Sequence, residues 1–111
     1  MKIFCDASGW NGIRSMIGVR KGKHNITCVF EEEFTVNKLE YFAVILGCMV
    51  ADNGDEVVSD SQLVVQQVKG DYKVKNIGLF PLAQAVKELI RGKVLKLDWI
   101  PRMQNKADKL I

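Results

Sequence analysis

Four acidic residues, each in its own short segment, are the candidates for chemistry in this chain of 111 residues: Asp6, Glu40, Asp60 and Asp108. Two of them end apolar, strand-like runs, and the other two open helix-like runs. Strands and helices that bring carboxylates to one edge of a sheet create a site for divalent cations, because hard cations prefer oxygen ligands. Two Mg²⁺ ions about 4 Å apart can activate a water molecule and neutralise a leaving oxygen. The four acids therefore indicate a site for divalent cations at a sheet edge.

Each acid taken alone also has an ordinary structural explanation. Asp6 could close a turn, and Asp60 could cap a helix together with Ser61. Glu40 and Asp108 could complement the dipole of a first helical turn. A joint role is favoured for Asp6, Glu40 and Asp60, because the acids occur together with a suitable strand or helix beneath each.

The apolar periodicity predicts which elements position these acids. Three antiparallel strands come first, and helix-linked strands that must pair in parallel follow. Strands are predicted at residues 2–8, 16–20, 25–34, 56–59 and 94–100, and helices at 37–51, from Leu63 through Val68, at 79–91 with Gly92 as the stop, and at 105–111. This order, β-β-β-α-β-α-α-β-α, predicts an α/β fold with a mixed five-stranded sheet flanked by helices.

Composition and length restrict the class of protein. Residues 1–111 make one domain, and 48% hydrophobic with 26% charged residues excludes a disordered chain. No apolar stretch is long enough to cross a bilayer, and the start of the chain is too soon acidic for a signal peptide. We therefore expect a cytoplasmic protein without a membrane partner. Three widely spaced cysteines make a disulfide framework or zinc site an unfavoured interpretation.

The positive charge is unevenly distributed. The net charge of +3 is small, but Lys69, Lys73 and Lys75 lie close together in the sequence. Such a cluster is compatible with a polyanionic partner, whereas a solvated lysine surface explains it equally simply.

The segments around the four acids resemble motifs of the ribonuclease H family, type 1 branch, and the resemblance extends from Lys2 to the last residue. The family's D-x-S, T-N-x-x-A-E, T-D-S and N-x-x-A-D segments correspond to Asp6-Ala7-Ser8, Thr35-Val36-Asn37-Lys38-Leu39-Glu40, Ser59-Asp60-Ser61 and Asn105-Lys106-Ala107-Asp108. The resemblance implies a ribonuclease H-like fold and a metal-dependent endonuclease that cuts the RNA strand of RNA/DNA hybrids.

The resemblance also implies roles for particular residues. The metal-binding catalytic acids would be Asp6, Glu40, Asp60 and Asp108, with two Mg²⁺ ions as cofactor and Mn²⁺ as a substitute. Asn11 would reach a 2′-hydroxyl and Thr35 a DNA-strand phosphate, although an Asn-Gly turn and a helix cap explain these two residues as well. The further candidates for substrate contacts are Ser8, Asn37, Ser61, Lys69, Lys73 and Lys75.

The sequence departs from the family pattern near its end. The run from Pro101 to Asp108 is one residue shorter than usual, and the last helix is cut to a stub held by Leu110 and Ile111. A short helix would leave apolar surface near the last strand for a second copy to cover, so a homodimer is one expectation. Two alternatives stay open: a hybrid-binding or assembly module with weak or lost catalysis, and a DNA-directed nuclease of the superfamily.

Overall fold

A computed structural model describes all residues from 1 to 111. The strands are β1 Lys2–Ser8, β2 Ser15–Lys21, β3 His24–Phe30, β4 Glu56–Ser59 and β5 Lys96–Trp99. The helices are α1 Val36–Val50, α2 Gln62–Lys69 and α3 Phe80–Lys93. The strands form one sheet in the order β3-β2-β1-β4-β5, with antiparallel pairing from β3 to β1 and parallel pairing from β1 to β5. The predicted mixed sheet is confirmed.

The parallel pairing of β1 with β4 places two of the predicted acids at one edge. Cys5 is the register partner of Ser59 in this pair. Asp6 and Asp60 are the next residues of their chains, so both lie at the carboxyl end of the central strand pair. This edge is where the fold positions its candidate chemistry.

Helix α1 packs closely on the face of the sheet that carries Cys5 and Val57. The helix contains a glycine, Gly47, at the point of closest approach, and a Cβ there would overlap the sulfur of Cys5. Glycine is therefore needed at this position because the helix and the strand nearly touch. The resulting core includes Leu39 and Val44 of the same helix, both fully buried.

Side chains hydrogen-bond to the free backbone groups at both ends of α1. At the start, the Thr35 hydroxyl accepts a hydrogen bond of 3.3 Å from the backbone N–H of Lys38, so the predicted cap is confirmed. At the end, Lys93 of α3 donates to the carbonyls of Cys48, Met49 and Ala51 at 3.0, 2.7 and 2.9 Å. A cation at the negative end of the helix dipole stabilises that end.

Two predicted boundaries are wrong at the sheet edges. Strand β3 ends at Phe30 and does not reach residue 34. The chain leaves the sheet there because Phe34 packs edge to face on two other rings. Its ring centroid lies 5.5 Å from that of Phe30 and 5.3 Å from that of Phe42. Strand β5 begins only at Lys96 because Val94, in a left-handed conformation, cannot join it.

The predicted stop of α3 at Gly92 is also wrong. The helix continues through Gly92 to Lys93 and ends at Val94, whose φ and ψ are 53° and 47°. The amine of Lys93 bonds to the end of α1, so a tertiary contact favours the two additional helical residues over the local preference of glycine.

The predicted last helix is absent. A single 3₁₀ turn, Asp108–Leu110, takes its place, and another, Arg102–Gln104, precedes it. The segment is nonetheless anchored, because Leu110 and Ile111 pack against Gly18 of β2, where an added Cβ would lie 3.2 and 3.1 Å from them. The predicted packing of these two residues is confirmed.

The surface near the last strand is less apolar than the sequence predicted. Leu97 is buried, with 6% exposure, so the expected exposed patch is wrong for this residue. Trp99 is 41% exposed, and its indole N–H donates to the carbonyl of Asp60 at 3.0 Å. None of the helices is long and apolar enough to cross a membrane.

We expect Val94→Gly to stabilise the protein. A left-handed conformation costs an ordinary L-residue about 1–2 kcal/mol, and the exposed Val94 side chain gives little packing in return. The free energy of unfolding in urea should rise by about 1 kcal/mol. In the control, Val29→Gly removes another exposed valine, 50% exposed against 75% for Val94, from a strand and should lower the free energy of unfolding. A loss of stability in both variants would contradict this account of Val94.

Candidate active site

Three of the four predicted acids meet at the carboxyl end of β1 and β4. Asp6 is in β1, Asp60 follows β4, and Glu40 lies in the second turn of α1. Carboxylate oxygens of the three residues all lie within 4.8 Å of one another. They open onto a cavity of about 330 Å³. Its lining consists of Asp6, Ala7, Val36, Asn37, Glu40, Asp60, Ser61 and Arg102.

Backbone and side-chain hydrogen bonds fix the carboxylates. The backbone N–H of Ala7 donates to Asp6 at 2.9 Å. The buried amide of Asn105 donates to the carbonyl of Cys5 at 2.8 Å, and the Asn105 side chain lowers the pKa of Asp60, although burial raises that pKa more. Asn105 therefore ties the C-terminal segment to β1, beside the cluster.

Burial and mutual repulsion perturb the three acids. Burial, followed by the charges of Asp6 and Asp60, raises the pKa of Glu40 to about 8. Burial and the charge of Asp60 raise the pKa of Asp6 to about 7, against the hydrogen bond from Ala7. Burial also raises the pKa of Asp60. Each ionised group is disfavoured where water is excluded and like charges are near.

The cluster lacks a neutralising partner from the protein. No Lys or Arg forms an ion pair with Asp6, Glu40 or Asp60. Arg102, at the rim of the cavity, lowers the pKa values of Glu40 and Asp60, but in both cases burial raises the pKa more. A buried anionic cluster without its own cation fits a divalent cation, for which carboxylate oxygens are preferred ligands. The three residues could therefore hold a metal.

Asp108 lies beside this cluster and not within it. Its side chain is 41% exposed and lies 3.6 Å from Nε of Arg102. A side-chain hydrogen bond and the charge of Asp108 both contribute to the raised pKa of Asp6. The fourth acid is thus close to Asp6, at the outer edge of the site.

The predicted substrate residues divide into two groups. Asn37 and Ser61 line the acid cavity. Ser61 also caps α2, accepting from the N–H of Val64 at 3.3 Å. Ser8 ends β1 with partial exposure, and Thr35 is the cap of α1. Their contacts with a substrate stay predictions.

Asn11 lies in a longer loop than the tight Asn-Gly hairpin that the sequence predicted. The pairing of β1 with β2 ends at Ser8 and Met16, and the residues between these two form a loop. The side-chain oxygen of Asn11 accepts from the backbone N–H groups of Ile13 and Arg14, both at 2.9 Å. The residue therefore organises the loop, and a further contact with a 2′-hydroxyl stays a prediction.

The three predicted lysines do not line the acid cavity. Lys69 forms an ion pair of 2.9 Å with Asp98 of β5, and Lys73 and Lys75 are exposed in the segment before α3. The cation that the structure does bring to the cavity is Arg102, which the sequence reasoning did not single out. Its position, next to Pro101 and shortly before Asn105, was the available signal.

The sheet order and the acidic cluster define a ribonuclease H-like fold, and the comparisons agree. No protein-family model matches the chain. LC11-RNase H1, from a compost metagenome, is 31% identical with a TM-score of 0.80, and the match covers 98% of this chain and 90% of that one. The N-terminal RNase H domain of a Mycobacterium tuberculosis protein is 25% identical with a TM-score of 0.84, over 98% and 88%. The chain therefore belongs to the ribonuclease H family, as the motifs indicated.

Two further structures extend the comparison. RNase H1 of the archaeon Halobacterium salinarum has a TM-score of 0.85 at 22% identity, covers 98% of this chain and 92% of that one, and shows likeness of fold alone. A structure of LC11-RNase H1 in complex with an RNA/DNA hybrid matches at 28% identity and a TM-score of 0.80, over 98% and 91%.

We expect the metal-free protein to lose stability as the pH rises from about 5 to about 8. The folded pKa values of Asp6 and Glu40, about 7 and about 8, exceed the ordinary 3.8 and 4.5. These carboxyl groups hold their protons more tightly in the folded protein than in the unfolded chain. Their contribution to stability is therefore complete at a pH below the ordinary pKa values and disappears as the pH rises past the folded pKa values. A loss of only about 1 kcal/mol lowers the melting temperature by roughly 4–8 °C.

Thermal melts in EDTA at the two pH values measure this effect. Glu40→Gln, which cannot ionise, should show a smaller fall, and Mg²⁺ should restore the melting temperature at the higher pH. Asp55 and Asp98, whose pKa values are lowered, act in the opposite direction but below this window. A melting temperature that rises across the window would contradict the electrostatic account.

Proposed function

We propose that this protein is a metal-dependent endonuclease that hydrolyses the RNA strand of RNA/DNA hybrids. The observation that carries the proposal is the cluster of Asp6, Glu40 and Asp60, with oxygens within 4.8 Å and no protein cation paired to them. Support comes from the family, because one similar structure is LC11-RNase H1 in complex with an RNA/DNA hybrid.

The carboxylates would hold two Mg²⁺ ions, and Mn²⁺ is a chemically similar substitute. Asp6, Glu40 and Asp60 are buried or half-buried and supply hard oxygen ligands. Asp108, beside Asp6, would contribute the outermost ligand. Bound cations supply Lewis-acid chemistry that makes water nucleophilic and neutralises the leaving oxygen.

The other residues of the cavity would bind and orient the strand that is cut. The guanidinium of Arg102 offers charge to a phosphate, and the side chains of Asn37 and Ser61 offer hydrogen bonds. Water adds to phosphorus and the 3′ oxygen leaves, which yields a 5′-phosphate and a 3′-hydroxyl. Selectivity would rest on the shape of the duplex and its 2′-hydroxyls, because only one strand of a hybrid presents these hydroxyls in the minor groove.

One observation favours a second candidate, a hybrid-binding module with weak catalysis. Asp108 is 41% exposed and stands outside the group of three acids within 4.8 Å. A protein with an incomplete set of metal ligands would bind a hybrid without cutting it efficiently.

End-labelled RNA/DNA, RNA/RNA and DNA/DNA duplexes, each incubated with the protein and Mg²⁺, separate the two candidates. Cleavage of RNA in the hybrid alone supports the nuclease, and binding without cleavage supports the binding module. Cleavage of DNA refutes both.

We expect Asp60→Asn to abolish hybrid cleavage while it preserves the fold. The amide keeps the shape of the side chain but loses the charge that a cation requires. The same change removes like-charge repulsion at Asp6 and Glu40, so the melting temperature of the metal-free protein should rise at high pH. Single-turnover cleavage and thermal melts measure the two effects.

Asp98→Asn is the matched control, since this aspartate lies on β5 in an ion pair with Lys69, outside the acid cavity. Wild-type cleavage by Asp60→Asn would refute the assignment.

We expect Asp108→Asn to reduce cleavage less than Asp60→Asn does. Its side chain is 41% exposed at the outer edge, so its loss should weaken metal binding as the loss of a supporting residue does, by about 10- to 100-fold, and so reduce cleavage at limiting Mg²⁺. A titration with Mg²⁺ should show a higher metal requirement for Asp108→Asn at an almost unchanged maximal rate. Equal losses for the two variants would show that Asp108 is bound as firmly as the central acids.

A further inference from the structure

A groove with an apolar floor opens between the end of α2, helix α3 and strand β5. Its volume is about 340 Å³, and it shares no residue with the acid cavity. The floor consists of Val68, Ile90 and Leu97. Val68 and Leu97 are only 9% and 6% exposed, so the groove is a recess in the surface of the core.

Three cations surround this floor: Lys69, Lys87 and Arg91. Lys69 is neutralised by its 2.9 Å ion pair with Asp98. Lys87 and Arg91 lie one turn apart on α3 and form no ion pair. Like charges at this spacing repel each other, so an anion placed between them would relieve that repulsion.

We infer that this groove binds an acidic segment of a partner protein. A large apolar side chain of that segment would enter the groove, and flanking carboxylates would pair with Lys87 and Arg91. Charge complementarity predicts that the partner is negatively charged. The apolar floor favours a protein over a nucleic acid. The floor is aliphatic, so it offers no aromatic ring on which a nucleic-acid base could stack, and a phosphate backbone would leave it uncovered.

Fluorescence anisotropy with a short labelled peptide, a Leu-Phe pair flanked by aspartates, tests this inference. We expect saturable binding to the wild-type protein and an affinity at least about tenfold lower for the double variant Lys87→Glu/Arg91→Glu. The double variant Lys23→Glu/Lys75→Glu, with the same change of net charge on exposed residues, should bind as the wild type does. A peptide with serines in place of the Leu-Phe pair should not bind.

Two outcomes would overturn the inference. An equal loss in both double variants would show that only net charge matters. Displacement of the peptide by an RNA/DNA duplex would assign the groove to nucleic acid. Hybrid cleavage by Lys87→Glu/Arg91→Glu should equal that of the wild type, so failure of the proposed nuclease activity and failure of peptide binding are separate results.

Discussion

The parallel pairing of β1 with β4 is the constraint on which the site depends. It sets Cys5 beside Ser59, so the next residues, Asp6 and Asp60, emerge together. Helix α1 then adds Glu40, and three carboxyl groups share one recess with no protein cation paired to them. Such an arrangement is electrostatically unfavourable without a metal and persists only because the surrounding fold holds it. The cluster therefore lowers the stability of the metal-free fold, and a bound cation would relieve that repulsion.

What holds Glu40 in place lies far from it. Helix α1 has no basic residue in its own last turn, and Lys93 from α3 occupies that end instead. Midway, Gly47 lets the helix approach Cys5, the residue before Asp6. The position of one catalytic candidate relative to another thus depends on the contact of a glycine with a cysteine and on a lysine at the opposite end of the helix.

The sequence predicted the sheet and the central acids because both follow from local patterns. Alternating apolar residues defined β1, and a helical stripe defined α1, with Thr35 as its cap. The errors arose where a tertiary contact overrode a local preference. Nothing in the structure crowds Gly92, and the helix continues past it because Lys93 reaches the carbonyls of α1. Arg102 reaches the cavity through the tertiary packing of its segment, and its place between Pro101 and Asn105 is the only signal for it in the sequence.

The C-terminal segment shows how a fourth carboxylate can be positioned without a helix. Asn105 bonds to the carbonyl of Cys5 in β1, and Leu110 and Ile111 pack on Gly18 in β2. Asp108 lies between these two attachments, within a single 3₁₀ turn. Two attachments on adjacent strands restrict the backbone to the edge of the sheet, but they leave the side chain at the rim, where it is shared between Asp6 and Arg102. A longer helix is therefore not required to bring this acid to the site, and its exposure is a consequence of how it is held.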